Sequence, residues 1–162
     1  MEVIMKIFVT IGSQKLQFNR LLQWMDDFFI FSETSHTVHA QIGYSDYIPQ
    51  NYTFDKFLPR NNYIKLMNEC DVIVTHGGTG AIISGLKNQK KVIAVPRLRV
   101  FGEHVDDHQT EITKILTDKN MIFSAKEKED FFIKLNEIMN HRFTKFESNN
   151  DAYINFIIDN IK

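Results

Sequence analysis

A short glycine-rich segment at residues 75–80 has the composition of an anion-binding turn. It follows an apolar run at 71–75 and precedes a predicted helix at 81–88. A strand, a glycine turn and a helix start leave several backbone N–H groups without partners, and the helix dipole adds to their attraction for an anion. The segment therefore predicts a phosphate site, with an imidazole beside it that would hydrogen-bond a phosphate oxygen. A structural bond from this histidine to the strand-end backbone is the alternative. The residues are Thr75, His76, Gly77, Gly78, Thr79 and Gly80.

A second polar segment follows the next predicted strand, at 92–95. Carboxylate and amide side chains can each make two hydrogen bonds, which suits the neighbouring hydroxyl groups of a hexose. A solvated loop that ends in an aspartate helix cap is the alternative interpretation. Taken with the glycine turn, the segment predicts a site for a phosphorylated sugar. Its residues are Glu103, His104, Asp106, Asp107, His108 and Gln109.

The motifs that are missing from the sequence narrow the chemistry. The glycine spacing is Gly-Gly-x-Gly rather than the dinucleotide pattern G-x-G-x-x-G, and no P-loop lysine follows the glycines. Hydride transfer with a dinucleotide and hydrolysis of a nucleoside triphosphate both lose support. The chain also has no Asp-x-Asp pair, which transferases that hold a nucleotide diphosphate through a metal usually need.

A metal site is a weaker interpretation of the second segment. His104 and His108 have the i, i+4 spacing of a helical zinc pair. Such a pair needs a helix that begins before His104, and no third ligand elsewhere has suitable spacing. We therefore expect chemistry without a metal and without a cofactor. A small basic zone nearby, in which the lysines are interpreted as ordinary surface charge, comprises Arg97, Arg99, Lys90 and Lys91.

Alternating strands and helices are predicted to position these segments. Short β-branched runs predict strands, and longer amphipathic runs predict helices between them. Such alternation favours an α/β fold, a Rossmann-like and mainly parallel sheet with helices on both faces. Ligands of such sheets bind beyond the carboxyl ends of the strands, where the loops at 12, 43, 76–78 and 96–109 would meet. Predicted strands are 6–11, 37–42, 52–57, 72–75, 92–95 and 121–123; predicted helices are 18–31, 63–70 (capped by Asn61 or Asn62), 81–88, 106 or 107 to 117, 128–140 and 152–161.

Size and composition exclude several classes of function. With 162 residues, 43% hydrophobic and 24% charged, the chain predicts one soluble domain over 1–162. A net charge of −1 gives no electrostatic reason to bind nucleic acid. Cys70 is the only cysteine, which fits a reducing compartment. Neither a signal peptide nor a run of the ~20 apolar residues that span a bilayer is visible, so a cytoplasmic location is expected.

Several of these segments together resemble the C-terminal half of a GT-B glycosyltransferase of the family 28 type. More narrowly, the chain is similar to the small soluble subunits of split transferases that act on polyprenyl-linked sugars. These include the PssE-like proteins of bacterial exopolysaccharide and capsule synthesis and the cytosolic subunit of the dolichol-linked N-acetylglucosaminyltransferase. The resemblance runs from residue 8 to 109, about two-thirds of the chain. Its matching segments are Phe8–Ser13, Phe18–Leu21, Gln41–Asp46, Asp71–Gly80, Val95–Arg97 and Phe101–Gln109.

This resemblance implies roles for individual residues. The His76–Gly80 turn would hold the donor diphosphate together with Gly12 and Ser13. Phe57 and Leu58 would offer backbone groups to uracil. Arg97, in a matching segment, is a further donor-binding candidate.

The second polar segment would contact the sugar. Glu103 would lie near the ribose or the reacting sugar, and Asp107, His108 and Gln109 would read the hexose hydroxyls. A base must take the acceptor proton, and Glu103 and His104 are the local candidates. In single-chain relatives the base lies in the other half of the protein, so the resemblance also allows a chain without one.

The implied activity is inverting transfer of a hexose from a UDP-sugar to a polyprenyl-diphosphate-linked saccharide. A membrane-anchored partner would bind the acceptor, and the helix predicted at 152–161 would cross onto it, so the protein would sit at the cytoplasmic face of the membrane through this partner. The donor is UDP-galactose, UDP-glucose, UDP-N-acetylglucosamine or a UDP-uronic acid, with galactose or glucose favoured by the resemblance. A non-catalytic accessory subunit is the main alternative. A sugar-nucleotide epimerase is the second, although it needs both halves in one chain.

Overall fold

The structure is a computed structural model that describes residues 3–106, 108–146 and 155, without the side chains of His108 and Gln109. Of the two aspartates predicted to cap the fourth helix, Asp106 lies two residues before its first residue, His108, and residue 107 lies outside the described residues. So does the helix predicted at 152–161, apart from residue 155. Over the described part of the chain, no helix has the length and apolarity that crossing a bilayer requires.

Six strands form one parallel sheet in the order β3-β2-β1-β4-β5-β6. The crossover after β3 returns the chain to the centre of the sheet, so the loops after β1 and β4 are neighbours. The predicted α/β fold with a parallel sheet is therefore confirmed. The strands are β1 (Lys6–Thr10), β2 (Thr37–Gln41), β3 (Thr53–Asp55), β4 (Val72–His76), β5 (Lys91–Val95) and β6 (Phe123–Ser124).

Helices cover both faces of the sheet because the strand residues alternate between two apolar cores. Ile7 and Val9 of β1 belong to one core, and Phe8 between them belongs to the other. Helices α1 and α5 bury their apolar faces in the first core, and α2, α3 and α4 in the second. The helices are α1 (Asn19–Phe31), α2 (Arg60–Glu69), α3 (Thr79–Lys87), α4 (His108–Asp118) and α5 (Lys128–Glu137), with short 3-10 turns at Arg99–Phe101 and Ile138–Asn140.

Several predicted boundaries were wrong by two residues or more, among them the start of α3, at Thr79 rather than 81, and the end of β3, at Asp55 rather than 57. Helix α2 begins at Arg60 with Pro59 as its N-cap, because the Tyr63 N–H donates to the Pro59 carbonyl oxygen (3.0 Å) and closes the first turn three residues early. Neither predicted cap is used. Strand β6 begins at Phe123 rather than 121, because the Met121 N–H donates to the Leu116 carbonyl at the end of α4.

Candidate functional site

The predicted loops meet at the carboxyl edge of the sheet, as the strand register requires. Thr10 at the end of β1 pairs with Gln41 of β2 on one side and with Thr75 of β4 on the other. His76 in turn pairs with Val95 at the end of β5. The loops that follow these four strands therefore start at one level and surround one site.

His76 ends β4 and is almost completely buried, with 7% of its surface exposed. Its Nδ1 lies 3.1 Å from the Thr75 hydroxyl and 3.4 Å from the Thr10 carbonyl oxygen. The bond to strand-end backbone that the sequence left as an alternative is thus present. It does not exclude ligand binding, because Nε2 is on the other side of the ring.

Two glycines make room for this imidazole. A Cβ added to Gly12 would lie 2.7 Å from Nε2, and Gly12 also has a φ of +77° that side-chain-bearing residues rarely adopt. A Cβ added to Gly78 would overlap Nε2 itself. The ring is therefore held between the β1 loop and the β4 loop, with backbone on both sides.

Burial keeps His76 neutral. The pKa of the imidazole is lowered to about 4, chiefly by burial and then by the nearby charge of Arg97, with a smaller contribution from His104, whereas the Thr10 carbonyl opposes the shift. At physiological pH, His76 is therefore a neutral hydrogen-bonding group. The ring therefore adds no positive charge of its own, and backbone dipoles can supply attraction for an anion at this point.

Helix α3 supplies those dipoles. Gly78 is its N-cap and offers no side-chain bond, and the Ile82 N–H closes the first turn on the Gly78 carbonyl oxygen (3.3 Å). The N–H groups of Thr79, Gly80 and Ala81 occupy the first turn, where an α-helix has no internal acceptor for them. Gly80 faces open space, so a ligand can approach this helix end.

Arg97 lies beneath the site rather than in it. It is fully buried, and its guanidinium donates to the carbonyl oxygens of Ile11 (2.6 Å), Leu16 (2.9 Å) and Glu103 (3.1 Å). Burial lowers its pKa to about 10, so it stays charged at neutral pH. These bonds join the loop after β1 to the loop after β5.

Glu103 is also directed into the protein. Its carboxylate is 1% exposed and accepts from Arg20 (2.9 and 3.0 Å) and from the Leu98 N–H (3.0 Å). The Arg20 guanidinium in turn lies over the rings of Trp24 (4.8 Å) and Phe101 (5.0 Å). Sequence reasoning missed Arg20, because nothing local marks a helix residue as the partner of a carboxylate 83 positions away.

His104 connects the same two loops from the solvent side. Its Nε2 lies 3.1 Å from the Gln14 amide nitrogen, and its Nδ1 lies 3.0 Å from the Asp106 carbonyl oxygen. Because α4 begins at His108, His104 precedes the helix and the helical spacing of a zinc pair does not arise. Among the side chains that the structure describes, no group of three or more His, Cys, Asp or Glu could hold a metal ion.

The predicted uracil contact lies at the end of β3. The Leu58 N–H already donates to the Gln41 side-chain oxygen (2.9 Å). Phe57 is half exposed and stands edge-on to Tyr44, with ring centroids 5.1 Å apart. Tyr44 was missed by the sequence reasoning, although an aromatic residue directly after a loop glycine is a signal that could have found it.

The structure describes the remaining predicted donor-binding residues to different extents. Ser13 is exposed beside Gly12 at the mouth of the site. Asp107 lies outside the described residues. His108 and Gln109 begin helix α4, which places their backbone at this edge of the sheet.

The family comparison covers almost the whole chain. The sequence matches the model of the glycosyltransferase family 28 C-terminal domain over residues 6–161. Comparison with curated proteins gives no match.

Solved structures share the fold at low sequence identity. ALG13, solved by NMR, is 16% identical with a TM-score of 0.64, and the match covers 98% of this chain and 97% of that one. MurG of Acinetobacter baumannii is 21% identical with a TM-score of 0.61, covering 86% of this chain and 42% of MurG. The kitacinnamycin glycosyltransferase is 15% identical with a TM-score of 0.60, covering 98% of this chain and 38% of that one.

The chain thus spans about two-fifths of the last two proteins and nearly all of ALG13. The shared part is the Rossmann-like sheet and helices of the C-terminal half of a GT-B fold, as the resemblance implied. The family match over residues 6–161 and this common fold show that the chain belongs to glycosyltransferase family 28 and carries its C-terminal domain.

Proposed function

We propose that this chain is the donor-binding component of a glycosyltransferase that uses a UDP-sugar. Acting with a membrane-anchored partner, it transfers a hexose, galactose or glucose, with inversion to a polyprenyl-diphosphate-linked saccharide. The pathway is exopolysaccharide or capsule synthesis, at the cytoplasmic face of the membrane. Family membership supports the transferase reaction, and the likeness to ALG13 along 97% of that chain supports a donor domain on a separate chain.

The observation that carries the proposal is the neutral imidazole of His76 beside the N-terminus of α3. Gly12 and Gly78 let the ring occupy this position, since a Cβ on either would meet Nε2, and Gly80 leaves the helix end open to a ligand. The first-turn N–H groups of α3 then bind the phosphate oxygens, and Ser13 lies beside Gly12 in the loop after β1. This arrangement suits a ligand that carries its negative charge on a diphosphate.

The same groups favour departure of UDP. Charge develops on the β-phosphate as the bond to the sugar breaks, and N–H dipoles that are already oriented stabilise it. His76 contributes a hydrogen bond to that oxygen. In this mechanism no metal is required, because the dipoles supply the stabilisation that a cation supplies in transferases with an Asp-x-Asp pair.

The partner supplies the general base in this proposal. Both oxygens of Glu103 are occupied by Arg20 and by the Leu98 N–H, which leaves that carboxylate poorly placed to take a proton from an acceptor. His104 keeps 11% of its side chain exposed and is the better local candidate. The described contacts of Glu103 favour a role in holding the segment that leads to α4, the helix that begins with His108 and Gln109.

Calorimetric titration of the purified chain with UDP in EDTA tests the donor site, with AMP as the control ligand. We expect UDP to bind, AMP not to bind, and His76→Ala to weaken UDP binding roughly tenfold, the value of one hydrogen bond to a charged group. Loss of UDP binding on chelation would contradict the metal-independent site. A chain that binds no UDP either alone or with its co-purified partner would instead be an accessory subunit.

A transfer assay with the co-purified partner tests the reaction and the base. Donors are compared as UDP-galactose, UDP-glucose, UDP-N-acetylglucosamine and a UDP-uronic acid. We expect Glu103→Gln to keep kcat within about threefold of wild type, whereas loss of a general base typically costs 10²-fold or more. A loss of that size in Glu103→Gln, with unchanged UDP affinity and with loss of the basic group from the pH profile of kcat, would assign the base to Glu103.

A further inference from the structure

The hydroxyl of Thr75 lies between two groups that could each accept its proton. Thr75 is fully buried, and its Oγ1 lies 2.9 Å from the Thr10 carbonyl oxygen and 3.1 Å from Nδ1 of His76. A hydroxyl has one proton to donate and lone pairs that accept. It can therefore donate to Thr10 or to His76, but not to both.

The described contacts are all satisfied by only one tautomer of His76. If the Thr75 hydroxyl donates to the Thr10 carbonyl, Nδ1 of His76 must carry a proton and donate to Thr75 Oγ1. The same proton suits the 3.4 Å approach of Nδ1 to the Thr10 carbonyl oxygen, which can only accept. With one proton on a neutral ring, Nε2 is then a bare acceptor between Gly12 and Gly78.

A bare Nε2 cannot hydrogen-bond a phosphate oxygen, since both atoms are acceptors. Donation to phosphate needs a proton on Nε2 and an unprotonated Nδ1. The unprotonated Nδ1 would then lie beside another acceptor, the Thr10 carbonyl oxygen. It would have no hydrogen bond unless another group donated to it. The Thr75 hydroxyl is at the right distance to do so after rotation about its own C–O bond.

We propose that Thr75 is a positioning residue that sets the tautomer of His76, Nδ1–H in the free chain and Nε2–H when a diphosphate is bound. The inference rests on the proposed function, since it concerns the same donor site. The exchange conserves protons: Nδ1 releases one to water, Nε2 takes one from water, and the hydroxyl turns from Thr10 to His76. Binding of the donor and orientation of this buried hydroxyl are therefore coupled.

Two substitutions separate the hydroxyl from the shape of the side chain. Thr75→Val keeps the branched shape and removes the donor, so Nδ1 of His76 has only the Thr10 carbonyl as a partner and retains its proton. Thr75→Ser keeps the donor and removes a methyl group. We expect Thr75→Val to weaken UDP binding about tenfold or more, as expected for loss of one hydrogen bond to a charged acceptor. Thr75→Ser should bind within about threefold of wild type.

Long-range ¹H–¹⁵N NMR of the labelled chain reads the tautomer directly, because protonated and bare imidazole nitrogens have distinct ¹⁵N shifts. The His76 signals are assigned by their loss in His76→Asn. We expect Nδ1–H in the free wild-type chain, Nε2–H with saturating UDP, and Nδ1–H in Thr75→Val under both conditions.

The outcomes distinguish this inference from the proposed function. A wild-type chain that binds no UDP contradicts the proposed function, whereas an Nε2–H ring in the free wild-type chain overturns the tautomer assignment whatever UDP does. Wild-type UDP affinity in Thr75→Val would overturn it as well. If Thr75→Val does not fold, the wild-type spectra with and without UDP decide: an unchanged Nδ1–H signal at saturation contradicts the proposal.

Discussion

His76 is enclosed by backbone and by a hydroxyl rather than by carboxylates, and this limits the ways in which it can serve an anion. A partner carboxylate would hold the ring in its cationic form, whereas burial between Gly12 and Gly78 disfavours charge. The residue can therefore direct a hydrogen bond but cannot add a full positive charge. The first turn of α3 supplies attraction that the ring does not.

The buried neutral state of His76 makes the stability of the fold depend on pH. Its pKa is about 4 in the folded chain against 6.5 for the unperturbed group. Between these values the unfolded chain binds a proton that the folded chain does not, so stability falls as pH decreases from 6.5 to 4. The loss attributable to this residue is about 3 kcal/mol at most.

Urea unfolding of wild type and His76→Asn at pH 7.5, 6, 5 and 4.5 measures this effect. The wild-type advantage in free energy of unfolding should be largest at pH 7.5 and shrink steadily below pH 6.5. Other titrating groups affect both proteins alike, so the difference isolates His76. An advantage that does not change with pH would show that His76 is not held neutral by the fold.

The contact of Gly78 with the ring gives a matched pair of glycine substitutions. Gly78→Ala places a methyl group on Nε2 of His76, so the imidazole must move and we expect a loss of about 1–3 kcal/mol, as for overpacking. Gly80→Ala meets no atom within 4 Å and replaces a helical glycine, so stability should hold or rise by about 0.5–1 kcal/mol. Denaturant melts compare the two; equal losses would contradict the described packing around His76.

At the scale of elements, the site depends on two loops that buried polar groups tie together. Arg97→Met should cost about 3–5 kcal/mol in unfolding free energy, because it removes a buried cation and leaves the carbonyl oxygens of Ile11, Leu16 and Glu103 without their donor. Arg99→Met, two residues away on the exposed face, is the control and should change stability by less than about 1 kcal/mol. Equal losses of unfolding free energy in the two variants, measured by urea denaturation, would contradict the inference that Arg97 holds the two loops together.

The sequence identified the loops but not the bonds between them, and the reason is physical. His76 and the glycines were recognisable because strand, turn and helix start are local patterns. Arg97 and Glu103 also stood out as polar residues after a strand, but their partners lie about 80 positions away. Whether an arginine faces a ligand or a set of carbonyl groups depends on the packing of distant loops, which periodicity does not encode.

At the scale of the whole molecule, the fold was predictable because its pattern is strong. Fully buried strands such as Val72–His76 alternate with amphipathic helices, and that order allows few topologies other than a parallel sheet. The ends of elements were less predictable. Pro59, for example, caps α2 with its carbonyl group alone, so no side-chain signal marked the start of the helix.

Ligand binding should be visible as global stabilisation, because the site joins loops from four strands. At a UDP concentration 100 times the dissociation constant, the folded chain gains about 2.7 kcal/mol. For a domain of this size that corresponds to a rise of roughly 5–10 °C in Tm. Differential scanning fluorimetry with UDP, AMP and inorganic phosphate measures the shift. A similar rise with all three would indicate general anion binding instead of a nucleotide site.

The bonds of Arg97 have a consequence for the kinetics of donor association. The buried guanidinium of Arg97 already bonds the loops after β1 and β5 to each other in the free chain. The conformational entropy of these loops is therefore lost during folding and not when the donor binds. The loop arrangement that binds the donor is then already the dominant one in the free chain, and no fraction of affinity is lost to rearranging these loops. Stopped-flow mixing with a fluorescent UDP analogue should give a single exponential whose rate rises linearly with concentration. In Arg97→Met the same measurement should show an additional slower phase whose rate saturates with UDP concentration. That phase would report the two loops becoming ordered as the ligand binds.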